Sequence, residues 1–264
     1  MACRAGIITL FLLSSLTADP LVPWTGIDKL PYVTFYGGYW NLGSLPQRTA
    51  HNVWIEGIDF SLALDRDLQI DFDVEVAETD RQTFLYNTFD LSFSKLLMND
   101  LIGDPFSLML SFKMSNNGGD AVAEPALLHF GEWEWRAIVA LGKEWTRFYD
   151  WWFRLSGYFS LGIANRGTPW LEEGFSFEQN FCGTQRYLLG IKALQAFGGH
   201  LIQRTPFVKG WGPYEFYTIS VVGGFWQEIC GVETGLLFES TVWNANYYSN
   251  ITKIWLEFRL PLAF

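Results

Sequence analysis

Asp71, Asp73 and Glu75 occupy every second position of the segment RDLQIDFDVEVAE, residues 66–78. Carboxylates at that spacing share one side of an extended chain, about 7 Å apart. A ladder of them lowers the energy of a cation and raises that of an anion, which is the chemistry of a selective path and not of bond breaking. The opposite side of the segment is Leu68, Ile70, Phe72, Val74 and Val76. A period of two without a fault excludes a helix.

The same sidedness collects Asp90, Glu132, Glu134, Glu178, Glu233 and Glu257 on the polar sides of other segments, against Lys113, Arg136, Arg154, Arg186, Lys192, Lys253 and Arg259. Two readings stay open for these charges. Either they line a narrow aqueous path with a mild cation preference, or they pair across strands and fill the interior without passing anything. The histidines offer a third class, since a lipid hydrolase needs a histidine beside a serine or another partner. His129 is followed by Phe130 and Gly131, with no serine two positions on, so no nucleophile and no catalytic residue is assigned. His51, His129 and His200 have no metal-ligand spacing, and neither a metal nor another cofactor is expected. The formal charge of −10 argues against nucleic acid as a partner.

The elements that would position these groups are long strands. In EWEWRAIVAL, Trp133, Trp135, Ala137, Val139 and Leu141 oppose Glu132, Glu134 and Arg136; in YDWWFRLSGYFSLGI, Trp151, Phe153, Leu155, Phe159 and Leu161 oppose Asp150, Arg154 and Ser156. About twelve such segments can be placed, with ten and fourteen as the neighbouring counts. They lie near residues 33–43, 53–64, 66–78, 82–94, 106–115, 126–142, 147–164, 170–181, 185–198, 214–226, 228–240 and 251–264. An even number suits a closed antiparallel barrel, and about 9 to 11 residues cross a bilayer when tilted. Short connections mostly alternate with long ones, except that residues 78–82 are short for their side and 95–105 long, with room for a helical turn. With the first strand running outward, all three histidines fall at the outer rim.

A soluble sandwich would show the same alternation, so other features decide. Aromatic residues make up 18% of the chain, high for a sandwich core but natural for a lipid-facing belt with interfacial girdles. Gly37, Gly57, Gly157, Gly162 and Gly190 are assigned to the polar side, as small residues for a crowded interior. Trp211, Tyr214, Trp243, Tyr247 and Tyr248 fall in the outer connections, where they suit either a recognition surface or local packing.

Residues 1–18, MACRAGIITLFLLSSLTA, combine Arg4, the apolar run from Ile7 to Leu13 and small residues ending at Ala18, the layout of a cleaved secretory signal peptide. Residues 19–264 then form a single barrel domain, because no repeat or linker marks a boundary. Cys182 and Cys230 remain, and an oxidising compartment would permit a bridge between them.

The chain finishes on KIWLEFRLPLAF, in which Ile254, Leu256, Phe258, Leu260, Leu262 and Phe264 share one side. This end resembles the C-terminal strand of bacterial outer-membrane β-barrel proteins, where a terminal phenylalanine with apolar residues at every second position before it is read by the barrel-assembly machinery. Pro261 departs from a regular ladder. The resemblance implies an all-β, closed, up-and-down transmembrane barrel in the outer membrane of a bacterial cell, in contact with its lipid. The function expected is a passive channel for small polar solutes or cations; the alternative is a side-chain-filled barrel acting as a surface-exposed binding or structural protein.

Overall fold

The computed structural model describes residues 31–43, 51–147, 150–181, 183–201, 207, 209–247 and 250–262. The signal-peptide segment, Cys182, Tyr248 and Phe264 lie outside them. Twelve strands follow in order: β1 (Tyr32–Leu42), β2 (His51–Asp65), β3 (Leu68–Thr79), β4 (Leu85–Met98), β5 (Ser107–Asn117), β6 (Trp133–Arg147), β7 (Asp150–Ala164), β8 (Trp170–Phe181), β9 (Gln185–Phe197), β10 (Glu215–Ile229), β11 (Val232–Ala245) and β12 (Ile251–Pro261). One five-residue helix, α1 (Gly119–Ala123), follows β5.

Every strand is antiparallel to its neighbour in one sheet. β1 pairs with β12 from Tyr32↔Pro261 to Leu42↔Ile251 and also lies alongside β2, so the sheet closes on itself. Pro261 is the last residue of its strand, and the next amide, Leu262 N–H, bonds to the Pro31 carbonyl at 2.7 Å. A proline at the end of a ladder leaves no interior acceptor without its donor.

The period of two sets which side each residue faces. On β7, Phe159, Leu161 and Ile163 are exposed, while Ser156, Ser160 and Ala164 between them are buried. Phe60, Val74, Phe93, Phe112, Val139, Phe175, Ile191, Phe238 and Ile254 continue the exposed apolar band from strand to strand. In water such a band would far exceed the few hundred Å² of contiguous apolar surface that soluble monomers tolerate. No second sheet covers it among the described residues, which removes the sandwich; an outward apolar band of this kind is the arrangement of a transmembrane barrel. Tyr39 against Trp54 and Tyr217 against Trp243 mark one rim; Trp145 against Phe153 and Phe181 against Tyr187 mark the other.

Two glycine assignments are corrected by the same parity. Gly37 neighbours the inward Tyr36 and Gly157 the inward Ser156, so both face outward. Gly57, Gly162 and Gly190 face inward, and at two of them an inward ring lies flat on the wall. A Cβ at Gly57 would overlap the Tyr36 ring, and one at Gly162 the Trp170 ring.

The end where β1 begins and β12 finishes carries short connections. Residues 230–231 turn with Cys230 and Gly231 both at positive φ, as a two-residue hairpin of matching twist requires. Residues 99–106, long for this side, hold a 3-10 turn, Asp100–Ile102, whose Leu101 N–H is capped by the Asn99 side-chain oxygen at 2.9 Å. At the other end the expected strand start at residue 126 is corrected: residues 118–132 form a loop containing α1, and β6 begins at Trp133.

Val139 sits at mid-height of β6 with its side chain outward, so Val139→Arg is expected to destabilise the barrel by about 2–4 kcal/mol in denaturant unfolding from lipid vesicles. A cost below about 1 kcal/mol would mean that the band does not face hydrocarbon.

Candidate functional site

Inward side chains enclose a cavity of about 420 Å³. Asp71, Asp73, Glu75 and Asp90 from β3 and β4 form one part of its wall, and Glu134, Arg136, Lys192, Glu257 and Arg259 lie on the rest. The strands fix these positions rigidly: Asp73 is in register with Asp59 on β2 and with Asp90 on β4.

Most of the basic groups are neutralised where they stand. Arg136 lies 3.3 Å from Glu134 and 3.8 Å from Glu172; Lys192 and Lys253 both reach Glu239, at 2.7 and 3.3 Å. Lys113 is 2.5 Å from Asp90. The β3 carboxylates differ. Asp71 accepts from Ser61, Gln69 and Ser92 at 2.6, 2.5 and 2.8 Å. Tyr36 donates its hydroxyl to Asp73 and lies 3.1 Å from Glu75, whose second oxygen accepts from the Asn87 amide at 2.7 Å. Among the described residues, the donors on these three carboxylates are neutral. The wall formed by β2, β3 and β4 therefore carries more acidic than basic side chains among the described residues, with Lys113 at Asp90 as its cation.

Five expected positions lie off the cavity wall, among them Glu178 and Arg186, which stand 3.6 Å apart. Glu132 is in the outer loop, bonded to Lys209 at 2.6 Å and 3.5 Å from Arg166, so it does not face the interior. Arg154 is near the opposite end, 2.6 Å from Glu144 and over the Trp151 ring. Glu233 is at that end too, tied to Arg186 and Arg259. The inward residues Asp59, Glu172 and Glu239 were not singled out from sequence, although each has the parity of an inward neighbour: Glu172 follows Trp170, and Glu239 follows Leu237. Tyr36 and Tyr158 left only a faint trace, a small residue on an adjacent strand. Gly174 makes room for the Tyr158 ring as Gly57 does for Tyr36.

The outer mouth is covered by a lid built from two loops. Residues 210–212 run beside 122–130, with Gly210 N–H to the Val122 carbonyl at 2.8 Å and Trp211 N–H to the His129 carbonyl at 2.7 Å. Phe130 stacks on Trp170 with centroids 4.0 Å apart, and Trp211, Phe216 and Tyr247 pack around it. Each such ring pair contributes about 0.5–1.5 kcal/mol beyond its burial. Trp211, Tyr214 and Tyr247 are buried in this lid, so they present no recognition surface. Trp243 faces outward beside Tyr217.

His129 hangs from the lid into the interior, with Nε2 2.6 Å from the Asn87 side-chain oxygen. Because the Asn87 amide nitrogen donates to Glu75, that oxygen accepts, and His129 carries its proton on Nε2. Burial holds the imidazole below its ordinary pKa, against the opposing pull of Glu134 and Asp90. His51 lies 3.5 Å from Arg81, and His200 bridges to Tyr214. No group of three or more potential metal ligands occurs among the described residues.

No protein-family profile and no curated protein sequence matches the chain. Solved structures do. The chain is similar to the NanC porin, with a TM-score of 0.59 at 6% identity over 88% of this chain and 100% of that one. An outer-membrane channel from Pseudomonas putida F1 superposes with a TM-score of 0.60 at 6% identity, over 88% and 96% of the two chains. LpxR from Salmonella typhimurium gives 0.51 at 10% identity, over 88% and 100%.

A histidine with a depressed pKa lends stability above its unfolded value, near 6.5, and loses it as pH falls toward the folded value. Amide hydrogen exchange across residues 126–131 is therefore expected to quicken as pH drops below about 6.5, after correction for intrinsic rates. Glu132, held below the usual carboxylate range by Lys209, titrates beneath that window. His129→Gln should flatten the dependence; an unchanged slope would remove His129 as its cause. At such low identity the similarity to the porin and the outer-membrane channel shows the fold alone: the chain has the fold of outer-membrane β-barrel porins and channels.

Proposed function

We propose that the chain forms a narrow passive channel in the outer membrane of a bacterial cell, passing small polar solutes with a mild preference for cations. The observation that carries this reading is the β3 wall: Asp71, Asp73 and Glu75 face the cavity with only neutral donors upon them among the described residues. In a low-dielectric barrel such uncompensated charge attracts cations and repels anions. The names of two structural neighbours, a porin and a channel, support the same reading. On it, the outward band meets outer-membrane lipid, and Phe258, Leu260 and Leu262, with Phe264 beyond the described residues, are what the barrel-assembly machinery reads.

The lid favours a second reading. Its packed rings occlude the outer mouth, which suits a filled barrel serving as a surface-exposed binding or structural protein. Planar-bilayer recording separates the two. The channel reading expects discrete conductance with a reversal potential shifted toward cations, and the double variant Asp71→Asn, Asp73→Asn should reduce the cation-to-anion permeability ratio by a few-fold. A barrel that migrates as folded on gels before boiling yet conducts nothing would favour the filled form.

A further inference from the structure

Resting on the reading of the lumen as open to solutes, we propose that the inner wall formed by β12, β1 and β3 is a binding subsite for a small hydroxylated ammonium compound of the amino-sugar type. Its ammonium would sit at Asp73 and Glu75, and its hydroxyl oxygens on Trp255, Trp40 and Thr34.

The first argument concerns protons. Asp73 and Glu75 are buried and face the cavity, and the Tyr36 hydroxyl lies against both. A phenol has one proton to donate, so it cannot serve both carboxylates at once. The Asn87 amide supplies one more donor, to the far oxygen of Glu75. Asp71 differs, being met by three neutral donors, and Asp90 has Lys113. The pair Asp73–Glu75 is thus where positive charge and donors are both short. An ammonium brings one charge and three donors, which matches that shortage.

A second and independent observation lies beside the first. The indole N–H of Trp255, the indole N–H of Trp40 and the hydroxyl of Thr34 have no hydrogen-bond partner among the described residues, and all three residues line the same cavity. Trp255 is 2% exposed and Thr34 1%. An indole N–H only donates, so whatever meets it must bring an acceptor. Buried donors left unmatched cost about 1–3 kcal/mol each, and an occupant that accepts from them recovers it.

The two sets are within one small molecule's reach. Trp255 is in register with Gly38, two residues along β1 from Tyr36, whose hydroxyl meets both carboxylates, so the donor set and the acidic pair adjoin through β1 on the wall of one cavity. Gly57 lets the Tyr36 ring lie over β2 and reach β3. Lys253, over the Trp40 ring, is held by Glu239 and does not compete for Asp73 or Glu75. A cavity of about 420 Å³ falls within the range of small-molecule sites, about 300–1,000 Å³.

The test is calorimetric titration of the detergent-refolded barrel with glucosamine, glucose and ammonium chloride in turn. Glucosamine is expected to bind about tenfold or more tightly than either of the others, since each lacks one half of the recognition. Asp73→Asn or Glu75→Gln should weaken glucosamine by about tenfold, and Trp255→Phe by several-fold, with the folded gel mobility retained. Two carboxylate variants keep the test decisive should one of them fail to fold. Equal binding of glucosamine and glucose, equal binding of glucosamine and ammonium, or no heat with glucosamine would each overturn the subsite. Because the readout is equilibrium binding, a barrel that conducts without binding refutes the subsite alone, and one that binds without conducting refutes the channel alone.

Discussion

The structure depends on one constraint: a sheet pairs the backbone N–H and C=O groups of all its strands within the protein only by closing on itself, the condition that a barrel facing hydrocarbon has to meet. Closure is made where the last strand returns to the first. Outward pairs Val33↔Leu260, Phe35↔Phe258 and Tyr39↔Ile254 give this seam the same apolar face as the rest of the band. Pro261, which has no N–H to give, falls at the seam's end, where Leu262 takes over the bonding.

Closure also determines the interior. With one side of the strands given over to an apolar band, most of the strand charge points inward, into a barrel of intermediate width. Bringing ions into that space is costly unless they are paired, and Arg136, Lys192 and Lys253 are paired. Large rings enter as well and are accommodated by glycines: Tyr36 over Gly57, Trp170 against Gly162, Tyr158 over Gly174 and Trp226 against Gly235. Against this neutralised background the β3 carboxylates stand out, met by hydroxyls and amides in place of cations. The cavity's chemistry is that imbalance, and the proposed preference for cations and the proposed occupant both follow from it.

The lid is a separate layer of construction. Residues 118–132 and 209–214 are far apart in sequence and hold one another by main-chain hydrogen bonds, and the aromatic cluster then seats the pair inside the rim. Its inner surface reaches the same network, since His129 bonds to Asn87, which bonds to Glu75. Lid and acidic wall are mechanically one unit.

The existence of the strands, their approximate number and the side most of their residues take were legible in sequence alone, with bounds displaced by several residues at β6, β10 and β11, because a period of two is a local property that registers without knowledge of neighbours. β3 shows it best: the sidedness of Leu68 to Glu75 stands unchanged in the barrel. Where other forces compete with alternation, sequence reading fell short. Residues 126–132 look like strand because they are apolar, yet they are apolar in order to plug the mouth, which only their contact with Trp170 and Trp211 reveals. Gly37 and Gly157 carry no side chain to declare a face, and Glu132 has its strand's parity but lies one residue before the ladder begins. Which charges pair, and which carboxylates are left with neutral donors, was decided by the tertiary structure, because pairing depends on register between strands up to a whole chain length apart. Sequence shows which side a residue takes; only the closed barrel shows what it meets there.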